Sequence, residues 1–310
     1  MRRFLVCVVV AVGLAVAQAH ASSTDAALHI LEELIAAVEA ADLPDGIRRS
    51  FVQKLRAAEE SLERGNVRAA YGQLGAFEKE VRAQQGKVLT DDQVEGALTT
   101  IRHVKIALNP GPPPVIKNLV VNFDDWNMIT NRAGDFIFLA PEDKVFLEFG
   151  LVVVGPEGPK TLPEFEFRVV PDTVAVSPID GAVESIFFQP ETNDYEIHLV
   201  SSPTSPFLVG VDHVTDLLVA KGDAVTAGQP LGKVGPFSAA LGRTELQVLN
   251  FIEEKNYCPW ELFDPALAAA FKQKVIELMA DWETFKGDAS IYDEAAMVAP
   301  GCLSSTLPEL

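Results

Sequence analysis

The sequence predicts an α+β chain of more than one domain: an N-terminal antiparallel helical bundle, then a mainly β domain that ends in a helix. Three observations carry this. Residues 24–108 repeat apolar side chains at helical spacing, with Gly, Pro and Asn at the breaks. Asn109-Pro-Gly-Pro-Pro-Pro114 then stops helix propagation and makes a stiff, extended linker, set at 109–117. Beyond it, short runs rich in Val, Ile and Phe alternate with Gly, Pro and Asp turns, the mark of strands. At 310 residues the chain is long enough for two domains with sizeable cores.

Taken in order, Arg2 and Arg3 precede an apolar stretch from Phe4 to Val16 and a small-x-small site at Ala19-His-Ala21. That is the form of a secretory signal over residues 1–21, so the mature protein is expected to be secreted or periplasmic. The stretch is too short for a membrane span, and no later segment approaches the required length. The first helix carries Leu28, Leu31, Leu34, Ile35 and Val38, and stops near Leu43-Pro-Asp-Gly46. A second runs from Ile47 through Phe51, Leu55, Ala58 and Leu62 to Gly65. Asn66 opens a third, with Val67, Ala70, Leu74, Phe77 and Val81 on one face. Thr90-Asp-Asp-Gln93 has the form of a capping box for a fourth, bearing Val94, Leu98, Ile101 and Val104. Short connections make these four an antiparallel bundle.

In the β domain, set at 118–263, the runs 119–123, 136–139, 145–154 and 165–170 read as strands, with more following through Val248. Asp264-Pro265 caps a last helix bearing Leu267, Phe271, Val275, Leu278, Met279, Trp282 and Phe285. Residues 264–310 are read as this helix and a tail that is irregular beyond Gly287 until Cys302 anchors it. Loss of the signal removes Cys7 and leaves Cys258 and Cys302, an even number in an oxidising compartment. One disulfide tethering the tail is the simple reading; two buried free thiols are the alternative. The formal charge of −19 disfavours nucleic acid and anionic membrane surfaces as partners.

The stretch Val211-Asp-His-Val-Thr-Asp-Leu-Leu-Val-Ala-Lys-Gly-Asp-Ala-Val-Thr-Ala-Gly228 has the form of a strand followed by a Gly-Asp turn and a second turn at Ala227-Gly228. Upstream, Ser177-Pro-Ile-Asp-Gly181 makes another turn flanked by alternating apolar residues. Together they resemble the core of lysostaphin-type (LytM-like) zinc endopeptidases of bacterial cell walls, built on the duplicated hybrid motif. Within residues 25–108, Phe51 to Leu62 and Ala76 to Gln93 resemble the FIMAH domain, a helical unit of bacterial extracellular proteins. Where that pattern has Ile after Phe77, this chain has Glu78.

The resemblance implies a zinc held by a His, an Asp and the second His of a His-x-His pair, with a further His polarising the attacking water. His213 falls at the polarising position. The His and Asp ligand positions fall on Leu162 and Glu166, and the His-x-His on Glu245-Leu-Gln247. Leucine binds no metal and glutamine is a poor zinc ligand, so no cofactor is expected. The alternative is that Glu166, Glu245 and His213 hold zinc or calcium. Glu166, His198, Glu245 and Gln247 are candidates for a polar binding groove; the plainer reading is a solvated surface.

No Gly-x-Ser-x-Gly, phosphate-cradling loop or dinucleotide fingerprint occurs. The turn at Lys221-Gly-Asp223 is also similar to lipoyl and biotinyl carriers, but it lacks their modified-Lys dipeptide. The resemblance thus implies a degenerate, peptidase-like binding or regulatory protein whose partner is an envelope polymer or extended peptide. Its competitors are an atypical metal-dependent endopeptidase and a scaffold in which Trp126, Trp260 and Trp282 serve as core or rim.

Overall fold

The computed structural model describes residues 23–309 except 156 and 157, so the signal-like segment lies outside the described residues. The chain divides into two compact units at Gly111–Pro112. Among the described residues no helix is long and apolar enough to cross a membrane.

The first unit is four helices: α1 (Ser23–Ala40), α2 (Asp45–Glu63), α3 (Val67–Gln84) and α4 (Asp91–Leu108). Successive helices pack together and α1 closes against α4. The apolar stripe is the reason: Leu31, Leu55, Leu74, Phe77, Val81, Ile101 and Val104 are fully buried. Phe51 and Phe77 meet edge to face, 5.2 Å between centroids. Asn66 caps α3 by accepting from the Ala69 amide, and Thr90 and Gln93 form the reciprocal capping box of α4.

The second unit begins with a small antiparallel sheet of β1 (Trp126–Asn127), β2 (Arg132–Ala133) and β3 (Phe136–Ile137). Next come β4 (Phe146–Leu147) and a separate hairpin, β5 (Val152–Gly155) with β6 (Gly158–Thr161). The large sheet takes in β4 and β7 (Glu164–Val169), β8 (Val174–Val176), β9 (Gly181–Gln189), β10 (Asp194–Val200) and β11 (Phe207–Thr215). It continues with β12 (Ala224–Val225), β13 (Pro230–Pro236), β14 (Gly242–Asn250), β15 (Lys255–Tyr257) and β16 (Thr306–Pro308). Its central run is β9, β10, β11, β14 and β7, all antiparallel. Strand β11 pairs with β14 from Phe207 to Asp212 and with β13 at Val214 and Thr215.

One face of this sheet covers the core. Phe165, Phe167, Ile197, Val209, Val211, Leu246 and Val248 are fully buried there. The helix α5 (Pro265–Lys286), capped by Asp264 and ended by Gly287 in the left-handed region, adds Val275, Leu278, Met279 and Trp282 to that core. Trp282 Nε1 donates to the Asp143 carbonyl at 3.0 Å, fixing the helix rotation. Cys258 and Cys302 form a disulfide across 6.1 Å between Cα atoms, and the tail then pairs as β16.

Three strand expectations are corrected. Leu119, Val120, Val121 and Phe123 are buried, but residues 119–123 form no strand. The Val120 amide is taken by the Asn118 side chain, and Val120 itself has a φ of +72°. The run at 136–139 is a strand only over β3. The run at 145–154 breaks into β4 and β5 where Gly150 turns with φ +88°, so hydrophobicity there reports burial and not a continuous ladder. Beyond Cys302, where no element was expected, the tail adds the edge strand β16.

Candidate functional site

Because side chains alternate across a strand, the face opposite the core is fixed by register. Glu166 lies opposite Glu245, Glu164 opposite Gln247, Glu245 opposite Asp212, and Gln247 opposite Gly210. His198 lies opposite Gly210 and Ser185, and Phe187 opposite Glu196. The four groove candidates, Glu166, His198, Glu245 and Gln247, therefore share one face with His213. Sequence reading missed Asp194, Asp212, Glu196 and Glu164. The alternation Glu164-Phe-Glu-Phe167 was the available signal, since it sets two acids on the face away from two core rings.

His213 stands at a bulge. Tyr195 pairs with Val214 and Ile197 with Val211, so Asp212 and His213 together oppose Glu196, and His213 adopts φ +55°. The ring is buried, with Nδ1 2.8 Å from Asp194 Oδ2. Its Nε2 is 3.4 Å from Glu245 Oε1 and 3.8 Å from Asp212 Oδ2. Asp194 is fully buried and also accepts from Thr192 Oγ1 at 2.5 Å. Gly235 makes room: a Cβ there would stand 2.7 Å from Asp194 Oδ2.

Burial alone would lower the His213 pKa, but the Glu245 and Asp212 carboxylates outweigh it and hold the ring at about 9. At neutral pH it is therefore an imidazolium that bridges strands β10, β11 and β14. Asp212 is pushed up to about 6, chiefly by burial, with Glu245 and Glu196 adding to the effect. Burial, then Glu245, pushes Glu164 up to about 8. Glu164 Oε1 has no hydrogen bond, and Lys160 Nζ stands 3.6 Å away. Glu196 is held below its ordinary range; burial opposes this, but His198 Nε2 at 2.7 Å prevails.

The residues at the zinc positions implied by the resemblance do not fit the ion. Leu162 is buried and offers no donor. Glu166 is taken by Arg168 Nε at 2.9 Å, and Arg168 also pairs with Glu142 and lies over the Phe237 ring. Gln247 turns its amide to Asn256 Oδ1 at 2.9 Å. Nor does the alternative set of Glu166, Glu245 and His213 gather as one. The ligand atoms that do lie within 4.8 Å of one another belong to Asp194, Asp212 and His213. The helical unit carries a separate groove of about 580 Å³, lined by Glu78, Arg82, Glu95, Leu98, Arg102 and others, with charges of both signs.

No family model matches the sequence, and no curated protein matches it. Several solved structures overlap parts of it. The catalytic domain of lysostaphin from Staphylococcus simulans is 20% identical, with 33% of this chain and 76% of that chain covered and a TM-score of 0.28. The prophage-encoded M23 protein EnpA from Enterococcus faecalis gives 17%, 37% and 85%, with a TM-score of 0.28. Csd3 of Helicobacter pylori gives 11%, 58% and 45%, with a TM-score of 0.34. Of lysostaphin in solution, the chain spans 49% of the length. Overlaps this slight assign neither a family nor an activity.

Proposed function

We propose that this chain is an exported, non-catalytic, peptidase-like binding protein of the bacterial envelope or extracellular space. It joins a FIMAH-like helical unit to a LytM-like β unit that has lost zinc hydrolysis. One observation carries the reading: each position where the resemblance calls for a zinc ligand is apolar or already engaged. Leu162 has no donor, Glu166 is held by Arg168, and Gln247 is a neutral amide, a poor zinc ligand, oriented by its Nε2 bond to Asn256. With its metal role gone, the polar face remains an acidic, partly exposed surface between strands, suited to recognition of an extended polymer.

The competing reading is a metallopeptidase with carboxylates replacing imidazoles, and the grouping of Asp194, Asp212 and His213 favours it. Against it, Asp194 is fully buried and spends its Oδ2 on His213 Nδ1, so the ring and this acid satisfy each other.

Elemental mass spectrometry of the purified protein after dialysis against trace zinc, with co-sedimentation on purified cell-wall sacculi, tests the reading. The expected result is sub-stoichiometric zinc, retention on the wall material and no release of soluble fragments. Near-stoichiometric zinc with fragment release would establish the peptidase instead. Neither zinc nor retention would leave only a scaffold.

A further inference from the structure

Strand β9 presents an open edge beside this acidic face. Its first residues, Gly181 and Ala182, pair with β12, and Val183 exchanges backbone hydrogen bonds with Gly222 and Asp223. From Ser185 to Phe188, among the described residues, the strand's backbone ladder runs on its β10 side alone. Proteins ordinarily blunt such an edge with Pro, Lys or a covering loop, because its free amides and carbonyls template another strand. Ser185-Ile-Phe-Phe188 contains neither Pro nor Lys. Instead, Phe187 and Phe188 are 50% and 53% exposed on opposite faces. Phe187 lies 5.3 Å from the His198 ring, and Phe188 lies 5.2 Å from Tyr195.

Charge selects the occupant. On the Phe187 face the neighbouring strands carry Glu196, Asp212, Asp194 and Glu245 against the rings of His198 and His213 and, further along β14, Arg243, so acids outnumber cations there. A strand added to β9 would lie about 4.8 Å away and turn every second side chain onto that face. A Lys or Arg there would cross the Phe187 ring, a cation–π contact, and meet Glu196 beyond it. A second copy of the chain is opposed by its net charge of −19.

We propose that the open edge of β9 is a docking site for an extended basic peptide, which adds to the sheet as a further strand with Lys or Arg at alternate positions over Phe187. This rests on the reading of the β unit as a binding module, and it names the chemistry of the partner.

Fluorescence anisotropy of the full chain with labelled octapeptides tests it, using alternating Lys-Val, alternating Glu-Val, and two Lys-Val forms N-methylated on one or the other alternate set of amides. The expected result is that Lys-Val binds and weakens with added salt, while Glu-Val binds at least ~10-fold more weakly. Methylation of one set should abolish binding and methylation of the other should spare it, because only one edge of the peptide faces β9. Phe187→Ala should weaken binding by about 3-fold or more with its melting curve unchanged.

Equal binding of both methylated forms, no preference for Lys over Glu, or no binding at all would overturn the proposal. So would sedimentation showing a dimer that Phe187→Ala dissolves. Retention on sacculi without peptide binding sinks the docking site and leaves the binding-module reading standing; loss of both sinks both.

Discussion

At the scale of single residues, the acidic face is held by charges that cannot be removed one at a time. His213 is the cation for a fully buried Asp194 and sits against Glu245 and Asp212. His213→Ala would leave the Asp194 carboxylate buried and unpaired, at a cost of roughly 3–5 kcal/mol in chemical denaturation. A loss below about 1 kcal/mol would show that the ring is not what holds the three strands there. Glu164 gives the opposite sign. In the folded protein it keeps its proton to about 8, against an ordinary value of 4.5, so the folded state binds more protons between those values. Its contribution to stability is therefore present at low pH and lost as pH rises through 8. Glu164→Gln, which mimics the protonated acid, should match the parent near pH 4.5 and be more stable by on the order of 1–3 kcal/mol near pH 9. Melting curves at the two pH values decide it, and equal curves at both would refute the burial argument. His213 was legible in the sequence because it precedes a Gly-Asp turn in a patterned stretch. Asp194 was not, because a lone Asp before Tyr195 in a turn carries no pattern.

At the scale of elements, helices were read better than strands, for a physical reason. A helix closes its own hydrogen bonds, so the stripes of α1 to α4, and the caps of α3 and α4, lie within each segment. Thr90 and Gln93 form the capping box that their spacing predicts. A strand needs a partner, and residues 119–123 are as apolar as any strand yet bond through side chains and turns. The bundle also carries a pH test of its own. Burial, then Arg102, lowers His103 to about 4. Between 4 and the unfolded value of 6.5 the unfolded chain binds the extra proton, so stability contributed by His103 is full above 6.5 and is lost as pH falls toward 4. All three tryptophans, Trp126, Trp260 and Trp282, lie outside the bundle, so tryptophan emission follows the second unit, while the helical circular dichroism comes mostly from α1 to α4 with α5 adding a smaller part. The urea midpoint of the helical signal should fall over this pH range, and a constant midpoint would count against a buried neutral His103.

At the scale of the whole molecule, the Cys258–Cys302 bridge closes the C-terminal segment onto the sheet after a separation of 44 residues. In the chain-entropy view such a loop stabilises by roughly 4 kcal/mol. Replacing both cysteines by Ser should lower stability by about 2–4 kcal/mol and speed hydrogen exchange in β15 and β16 first. Unchanged exchange there would mean that α5 packing, through Trp282 and Tyr292, already holds the tail.

By itself the sequence determined the α+β class, the four helices with the capping box of the fourth, the C-terminal helix from Asp264-Pro265 and the presence of two cysteines beyond the signal-like segment, whose pairing the fold then supplied. Each is a local pattern or a matter of counting. Only the tertiary structure decided which acids face one another, that Glu166 bonds to Arg168 and Gln247 to Asn256, and that one stretch of β9 is an open edge. Those are matters of register and pairing between distant segments, and a one-residue shift in any strand would have sent the same acids into the core.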